Sequence, residues 1–144
     1  MSVTTGKSAL SAVHAAVYSV LKHDATLTTR APGGVWDHVP QDPTWPYVRL
    51  GGFVEDPDDT FGRQGRRVTF VVHAWSQYAG VSEGYGIIDR VLALLRYTPL
   101  TLAGWEHHDT RHLTTEVDEP QLVDAVQVQH VWAEFEAFVA EVLP

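Results

Sequence analysis

The clearest hydrophobic alternation in the chain lies between Arg66 and Ser76. Every second residue from Val68 to Ala74 is apolar, and the residues between them are a mixture of polar and apolar types. Successive side chains of a β-strand point to opposite faces of the sheet. The run therefore predicts a strand with one face on the main core. The mixed residues, Thr69, Val71, His73 and Trp75, indicate a second face that is partly covered.

After a short connector that ends at Gly80, the hydrophobic period changes from two residues to about 3.6. Between Val81 and Leu95 the small and apolar residues fall on one stripe, which predicts an amphipathic helix. A similar stripe between Leu10 and Leu21 predicts a first helix. The stripe of the later helix contains Gly84, Ile88, Val91, Leu92 and Leu95. The residues predicted for the structural core are Val68, Phe70, Val72, Trp75, Ile88, Leu92 and Leu95.

Weaker patterns mark the other elements. Residues 24–27 form a turn or a short second helix, and residues 35–39 and 47–50 predict strands, the second with a bulge or bend at Gly51-Gly52. Residues 124–138 fit a strand and also a helix, and we favour a long strand that is bent or bulged where its apolar phase switches, with a frayed tail.

The expected order of elements is helix, strand, strand, strand, helix, strand, strand. It predicts an α+β fold with a single mixed, mostly antiparallel sheet flanked by two helices. At 144 residues, the chain is expected to form one domain over residues 1–144.

Composition excludes several classes of function. The chain has no cysteine, so neither disulfides nor a thiolate zinc site are expected. Its formal net charge of −8 argues against wrapping a nucleic acid by phosphate neutralisation. It contains no apolar run of the roughly 20 residues that span a bilayer, and its first residues lack the features of a secretion signal.

The most polar stretch of the chain runs from Glu55 to Gly65. Its aspartates suggest calcium, but an EF-hand loop would need glycine and glutamate where Phe61 and Arg67 stand. We therefore expect a long flexible hairpin loop, with an acidic and a basic arm, which orders against a partner. Because ordering it has an entropic cost, a monomer or weak oligomer is expected in solution. The candidate subunit or partner contacts are Asp56, Asp58, Asp59, Arg63, Arg66 and Arg67.

The other cluster with chemical potential is His107-His108-Asp109, with His112 nearby. His108 and His112 are four residues apart, as in zinc hydrolases, but glutamate does not follow the first histidine. A metal-dependent hydrolase that uses these residues is the alternative function. The favoured expectation is no catalytic residue, no bound metal and no cofactor.

Five landmarks follow one another along the chain. They are, in order, Leu21-Lys22-His23-Asp24 with Leu27, Val35 to Pro40, Pro46 to Gly51, Val68 to Ser76 with Gly80 and its helix, and Gln129 to Glu136. Together they resemble the tail completion or tail terminator proteins of long-tailed phages and related gene transfer agents, and the resemblance covers nearly the whole chain.

The resemblance implies a structural virion protein and not an enzyme. It implies an α+β subunit that forms a hexameric ring, caps the tail tube at its head-proximal end and joins it to the head connector. The implied partners are further copies of the chain, the major tail tube protein and the head completion or connector protein. DNA would pass through the ring without specific binding. The expected location is the virion tail, after assembly in the host cytoplasm and without a membrane.

Overall fold

The computed structural model of the protein describes residues 7–142. They form one six-stranded sheet in the order β1-β2-β3-β6-β4, with β5 paired to β6. Only β1 and β2 run parallel, and the other pairs are antiparallel. The predicted α+β fold with a mixed, mostly antiparallel sheet is confirmed. The elements are α1 (Leu10–Lys22), α2 (Ala25–Arg30), β1 (Val35–Trp36), β2 (Tyr47–Pro57), β3 (Gly65–Ser76), α3 (Ser82–Tyr97), β4 (Trp105–Val117), β5 (Gln121–Val123) and β6 (Val126–Glu141).

The structure contains two short elements, α2 and β5, that the expected order of seven elements does not include. The short helix α2 takes the helical alternative left open for residues 24–27, and it begins where the Asp24 carboxylate accepts a hydrogen bond from the N–H of Leu27 at 2.8 Å. The strand β5 was missed, because three residues are too few to show a period. None of the helices in the described part of the chain is long and apolar enough to cross a membrane.

The core lies between one face of the sheet and the helices. Alternate residues of β3 are fully buried there, and the ring of Phe70 stacks on that of Phe135 from β6 with 5.5 Å between centroids. The helices contribute apolar stripes to the same cluster, which is how amphipathic helices are stabilised on a sheet. The buried helix residues of this cluster are Val13, Ala16, Val17 and Leu21 from α1, Leu27 from α2, and Ile87, Ile88, Val91 and Leu95 from α3.

Two residues of the predicted core have other positions. Leu92 is half-buried and packs against the edge of the core cluster. Trp75 is half-buried on the opposite face of the sheet, where it stacks on His130. Its odd-numbered position in β3 fixes this placement, because the core face of that strand takes the even-numbered residues.

The last strand is regular, which corrects the expected bend or bulge, and it continues to Glu141. The end of the predicted frayed tail, residues 143–144, lies outside the described residues. The strand pairs with β3 without a register shift from Gln129 to Ala140. Its core face carries the odd-numbered apolar residues, and its other face carries Trp132 and Phe138. Because both faces are partly apolar, the alternation in the sequence changes phase although the strand does not bend. The register shifts lie instead in β4, at His108 and Leu113.

The hairpin of β2 and β3 is longer than the sequence predicts. The bulge at Gly51-Gly52 is confirmed, since the register shifts between Gly51 and Val54 and Gly52 has a φ of 65°. However, the strands continue to Pro57 and from Gly65, so only residues 58–64 connect them. The expected long flexible loop is therefore shorter than predicted, because Glu55 to Pro57 and Gly65 belong to the paired strands.

Candidate assembly surfaces

The tip of the β2–β3 hairpin presents a bare aromatic ring. Thr60 and Arg63 close the turn through two backbone hydrogen bonds of 3.0 Å. Phe61 stands fully exposed in this turn. It is followed by Gly62, whose φ of 79° is a left-handed conformation that glycine adopts without steric cost. The local sequence thus builds a tight turn that holds an apolar ring in solvent.

The charged residues of this hairpin pair within the subunit. Arg66 lies 3.3 Å from Asp59 and 3.8 Å from Glu55, and Arg67 lies 3.6 Å from Asp56. Asp56 and Arg67 are directly opposite in the ladder, where opposite charges attract. Antiparallel pairing thus brings the two charged arms together within one chain, and their contact with an adjacent copy stays a prediction.

The turn is also fastened to β6 and β4 at the same end of the sheet. The guanidinium of Arg63 donates hydrogen bonds of 2.8 and 2.9 Å to the backbone oxygen of Glu141, and it pairs with the carboxylate of Glu106. Asp58, next to the turn, is exposed. Most of the predicted contact residues therefore brace the hairpin, while Phe61 and Asp58 face outward.

The sheet face opposite the helices carries a row of one acid and two imidazoles. Asp118 Oδ2 lies 2.6 Å from Nδ1 of His130, whose Nε2 lies 2.8 Å from Nδ1 of His73. Asp118 Oδ1 also accepts a hydrogen bond of 3.2 Å from the indole N–H of Trp132. The ring of Trp75 stacks on His130 with 3.8 Å between centroids. These contacts hold the three titratable side chains in fixed positions.

Burial keeps this pair of imidazoles neutral. Desolvation, followed by the charges of His130 and Arg49, lowers the pKa of His73 to about 4. Desolvation also lowers the pKa of His130, although the nearby Asp118 carboxylate opposes this shift. Hydrogen bonds from Trp132 and His130 lower the pKa of Asp118. At neutral pH, an ionised acid therefore faces two neutral rings, and the row can take up a proton in acid.

The other end of the sheet carries an apolar ribbon, formed by β5 and the first residues of β6. Leu122 is 77% exposed, Val123 50% and Val126 42%. The turn between the strands places Asp124 and Ala125 at φ of 50° and 66°, as a two-residue hairpin of this hand requires. Positive φ is costly for residues other than glycine, and contiguous exposed apolar groups commonly mark contact sites. The ribbon is therefore a candidate docking surface.

The histidine-rich segment forms β4, and the strand separates the candidate metal ligands. His107 points to the core side, where its Nε2 lies 2.7 Å from Thr110 Oγ1 and its Nδ1 accepts a hydrogen bond of 3.2 Å from the N–H of Leu100. Burial lowers the pKa of His107. Asp109 instead pairs with Arg111 at 3.1 Å.

The remaining two histidines of that segment are also apart. His108 is the additional residue in the first β4 bulge and is exposed. His112 has its Nε2 2.7 Å from the hydroxyl of Thr115. Within residues 7–142, no group of three or more histidine, aspartate or glutamate side chains is placed to hold a metal ion. The structure does not bring the residues of the hydrolase alternative together.

Sequence reasoning missed two of these features. It placed His73 and Trp75 on a partly covered face but did not find Asp118 or His130 as partners, because the register of β3 with β6 joins residues far apart in the chain. It also passed over Phe61. The signal for that residue was a lone aromatic directly before glycine in the most polar segment of the sequence.

Comparison with known proteins gives a consistent result. A family model described as Tail completion protein gp17 matches residues 15–139. A chain from the virion of a native gene transfer agent (GTA) particle is 24% identical, with a TM-score of 0.81, and the match covers 94% of this chain and 99% of that chain. The gp17 protein of bacteriophage SPP1 is 23% identical, with a TM-score of 0.51 and coverage of 92% and 95%. Among curated proteins, no sequence matches. The two structural likenesses show a shared fold.

Proposed function

Because the chain belongs to the tail completion protein gp17 family, we propose that it forms a ring that caps the tail tube at its head-proximal end and joins it to the head connector. Its partners are then further copies of itself, the tail tube protein and the head completion or connector protein. The observation that carries the proposal is the extent of the family match, since residues 15–139 run from the first helix into the last strand.

The distribution of exposed apolar groups supports this role. Phe61 projects where β2 and β3 join, whereas the ribbon around Leu122 extends β6 beyond Ser76 at the other end of β3. A ring subunit that also contacts a tube and a connector needs separate surfaces for these neighbours. We assign the ribbon to one of the two axial partners, because burying its apolar side chains favours docking.

The charge of the chain also supports a channel for DNA. With a formal net charge of −8, a ring of identical subunits repels phosphate and does not grip the DNA that passes. The charge is compatible with a passage and not with a sequence-reading site.

Deleting the gene in producing cells tests the proposal. We expect overlong tails, or tails without heads, in electron micrographs, because nothing then ends tube growth or bridges the tube to the connector. A copy supplied in trans should restore joined particles, and a copy with an early stop codon serves as the matched control. Tails of normal length that carry heads in the deletion strain would overturn the proposed function.

A further inference from the structure

We propose that Phe61 of one copy docks into a cavity formed by α1, α2 and β1 of a second copy, and that this contact builds the ring. The inference rests on the proposed function and deepens it, because it names the groups that join neighbouring subunits. It rests on four observations: an exposed and braced ring, an apolar cavity of matching size, their positions at opposite ends of the subunit, and complementary charge.

The turn that carries Phe61 is held in place by hydrogen bonds on both of its sides. It is closed by the paired backbones of Thr60 and Arg63, and Arg63 is held by the backbone oxygen of Glu141. On the other side, the N–H of Gly65 donates to Asp59 Oδ1 at 3.0 Å. Ordering a loop on binding costs free energy, so a turn that is already ordered binds more tightly. Aromatic side chains contribute large apolar areas to interfaces.

The cavity that we assign to Phe61 lies between the second half of α1, α2 and the start of β1. Its volume is about 200 Å³, and an apolar cavity of about 150 Å³ is known to hold benzene, so a phenyl ring fits. The wall is mostly apolar, and Lys22 and Thr28 stand exposed at its rim. The apolar wall is formed by Tyr18, Leu27, Ala31, Val35 and Trp36.

The tip and the cavity lie at opposite ends of the same strand. Phe61 follows the end of β2 at Pro57, whereas Val35 of the cavity pairs with Val48 at the start of β2. A strand of 11 residues spans about 35 Å at 3.2–3.4 Å per residue. The tip therefore cannot reach the cavity of its own chain. A contact between two different patches of identical copies is head-to-tail, and it generates a ring when the rotation closes.

Charge favours the same pairing. Asp58 is the outward-facing acid beside Phe61, and Lys22 is a cation at the cavity rim in a chain whose net charge is −8. In the isolated subunit, the Lys22 ammonium lies 5.2 Å from the centroid of the Tyr18 ring. Complementary rim charges guide orientation and speed association more than they add affinity. We therefore assign the anchoring role to Phe61 and the orienting role to Asp58 and Lys22.

Cysteine cross-linking tests this contact without background, because the chain has no native cysteine. Copies carrying Thr60→Cys, which keep the neighbouring Phe61 ring, are mixed with copies carrying Thr28→Cys under mild oxidation, at high concentration and in tails isolated from producing cells. We expect a disulfide-linked dimer of the two variants, and a ladder up to a closed ring when one chain carries both changes. Thr101→Cys, an exposed threonine outside the cavity, is the matched control and should cross-link at least several-fold more slowly.

Charge reversal gives a second measurement on the same pair. Asp58→Lys should slow the cross-linking several-fold, and combining it with Lys22→Asp should restore the rate. Equal yields with Thr28→Cys and Thr101→Cys would overturn the inference, as would rings on the tail ends that lack the bond between Thr60→Cys and Thr28→Cys. In those cases the proposed function stands. The absence of any ring on the tails would remove the proposed function and this contact together.

Discussion

At the scale of single residues, the row of Asp118, His130 and His73 makes folding depend on pH. Nδ1 of His73 lies 2.8 Å from Nε2 of His130, so protonating both rings would bring like charges into contact. Arg49 adds a further positive charge that lowers the pKa values of both rings, and only Asp118 opposes it. The folded protein therefore resists proton uptake at a site where the unfolded chain accepts it freely.

We expect the free energy of unfolding to fall as the pH is lowered from about 6.5 towards 4. An unfolded histidine titrates near pH 6.5, whereas the fold lowers the pKa of His73 to about 4. The unfolded chain thus binds more protons in this window, and stability decreases with decreasing pH. The contribution of neutral His73 to the free energy of unfolding is therefore complete above about pH 6.5 and is lost as the pH falls towards 4. The lowered pKa of His130 acts in the same direction, and that of Asp118 adds a further loss in stronger acid.

Urea unfolding at pH 7 and pH 5 measures this effect. The midpoint should fall for the parent protein and fall less for His73→Asn, whose amide N–H can replace the donor to His130. His38→Asn changes an exposed histidine and should follow the parent. If His73→Asn showed the same pH dependence as the parent, the imidazole row would not govern acid stability.

At the scale of elements, α3 shows what a sequence pattern can and cannot give. The stripe from Gly84 to Leu95 predicted the helix and its buried side, but not why glycine stands at its start. A β-carbon on Gly84 would lie 2.7 Å from Cγ2 of Val131, whereas one on Gly86 would meet nothing within 4 Å. The helix therefore packs closely on β6 at Gly84 but not at Gly86.

The same substitution at these two glycines should have opposite effects. Gly86→Ala should stabilise the protein by roughly 1 kcal/mol, since alanine is the better helix former. Gly84→Ala gains the same propensity but must displace the buried Val131, and overpacking costs about 1–3 kcal/mol. Thermal unfolding of both variants is the measurement. A Gly84→Ala variant as stable as Gly86→Ala would show that α3 does not pack as closely on the sheet as described.

The remaining elements were predictable to the extent that one face dominated the pattern. β3 and α1 each bury one side, so their periods are clear. β6 carries apolar residues on both faces, such as Phe135 on the core side and Trp132 on the other, and the pattern could not distinguish a bulge from a continuous strand. The pairing of Arg67 with Asp56 depends on the register between β2 and β3, which the hydrophobic pattern of either strand alone does not determine. Phe61 was passed over although a lone aromatic in a polar segment could have marked it, and its distance from the cavity depends on the fold.

At the scale of the whole molecule, one cluster of buried apolar side chains begins at Ala9 and ends at Val139. It includes residues of both long helices and of strands β2, β3, β4 and β6, represented in β4 by Trp105. The cluster does not divide into two cores formed by separate parts of the sequence, because residues from the first helix to the last strand pack together in it. We therefore propose that the described residues 7–142 form one cooperative folding unit, within the single domain that the sequence predicts over residues 1–144.

If the unit is cooperative, a destabilising substitution near one end of the chain lowers the melting temperature of the whole unit. Leu21→Ala in α1 removes a fully buried side chain, which typically costs about 2–5 kcal/mol. In a two-state protein every probe reports the same transition. Far-UV circular dichroism follows the helices and the sheet together. Tryptophan fluorescence follows the five tryptophans, none of which lies in a helix: Trp36, Trp75, Trp105 and Trp132 are in strands and Trp45 is in the loop before β2. Both should shift to the same lower melting temperature in this variant. A lowered dichroism transition beside an unchanged fluorescence transition would instead show that α1 unfolds on its own and that the sheet is a separate unit.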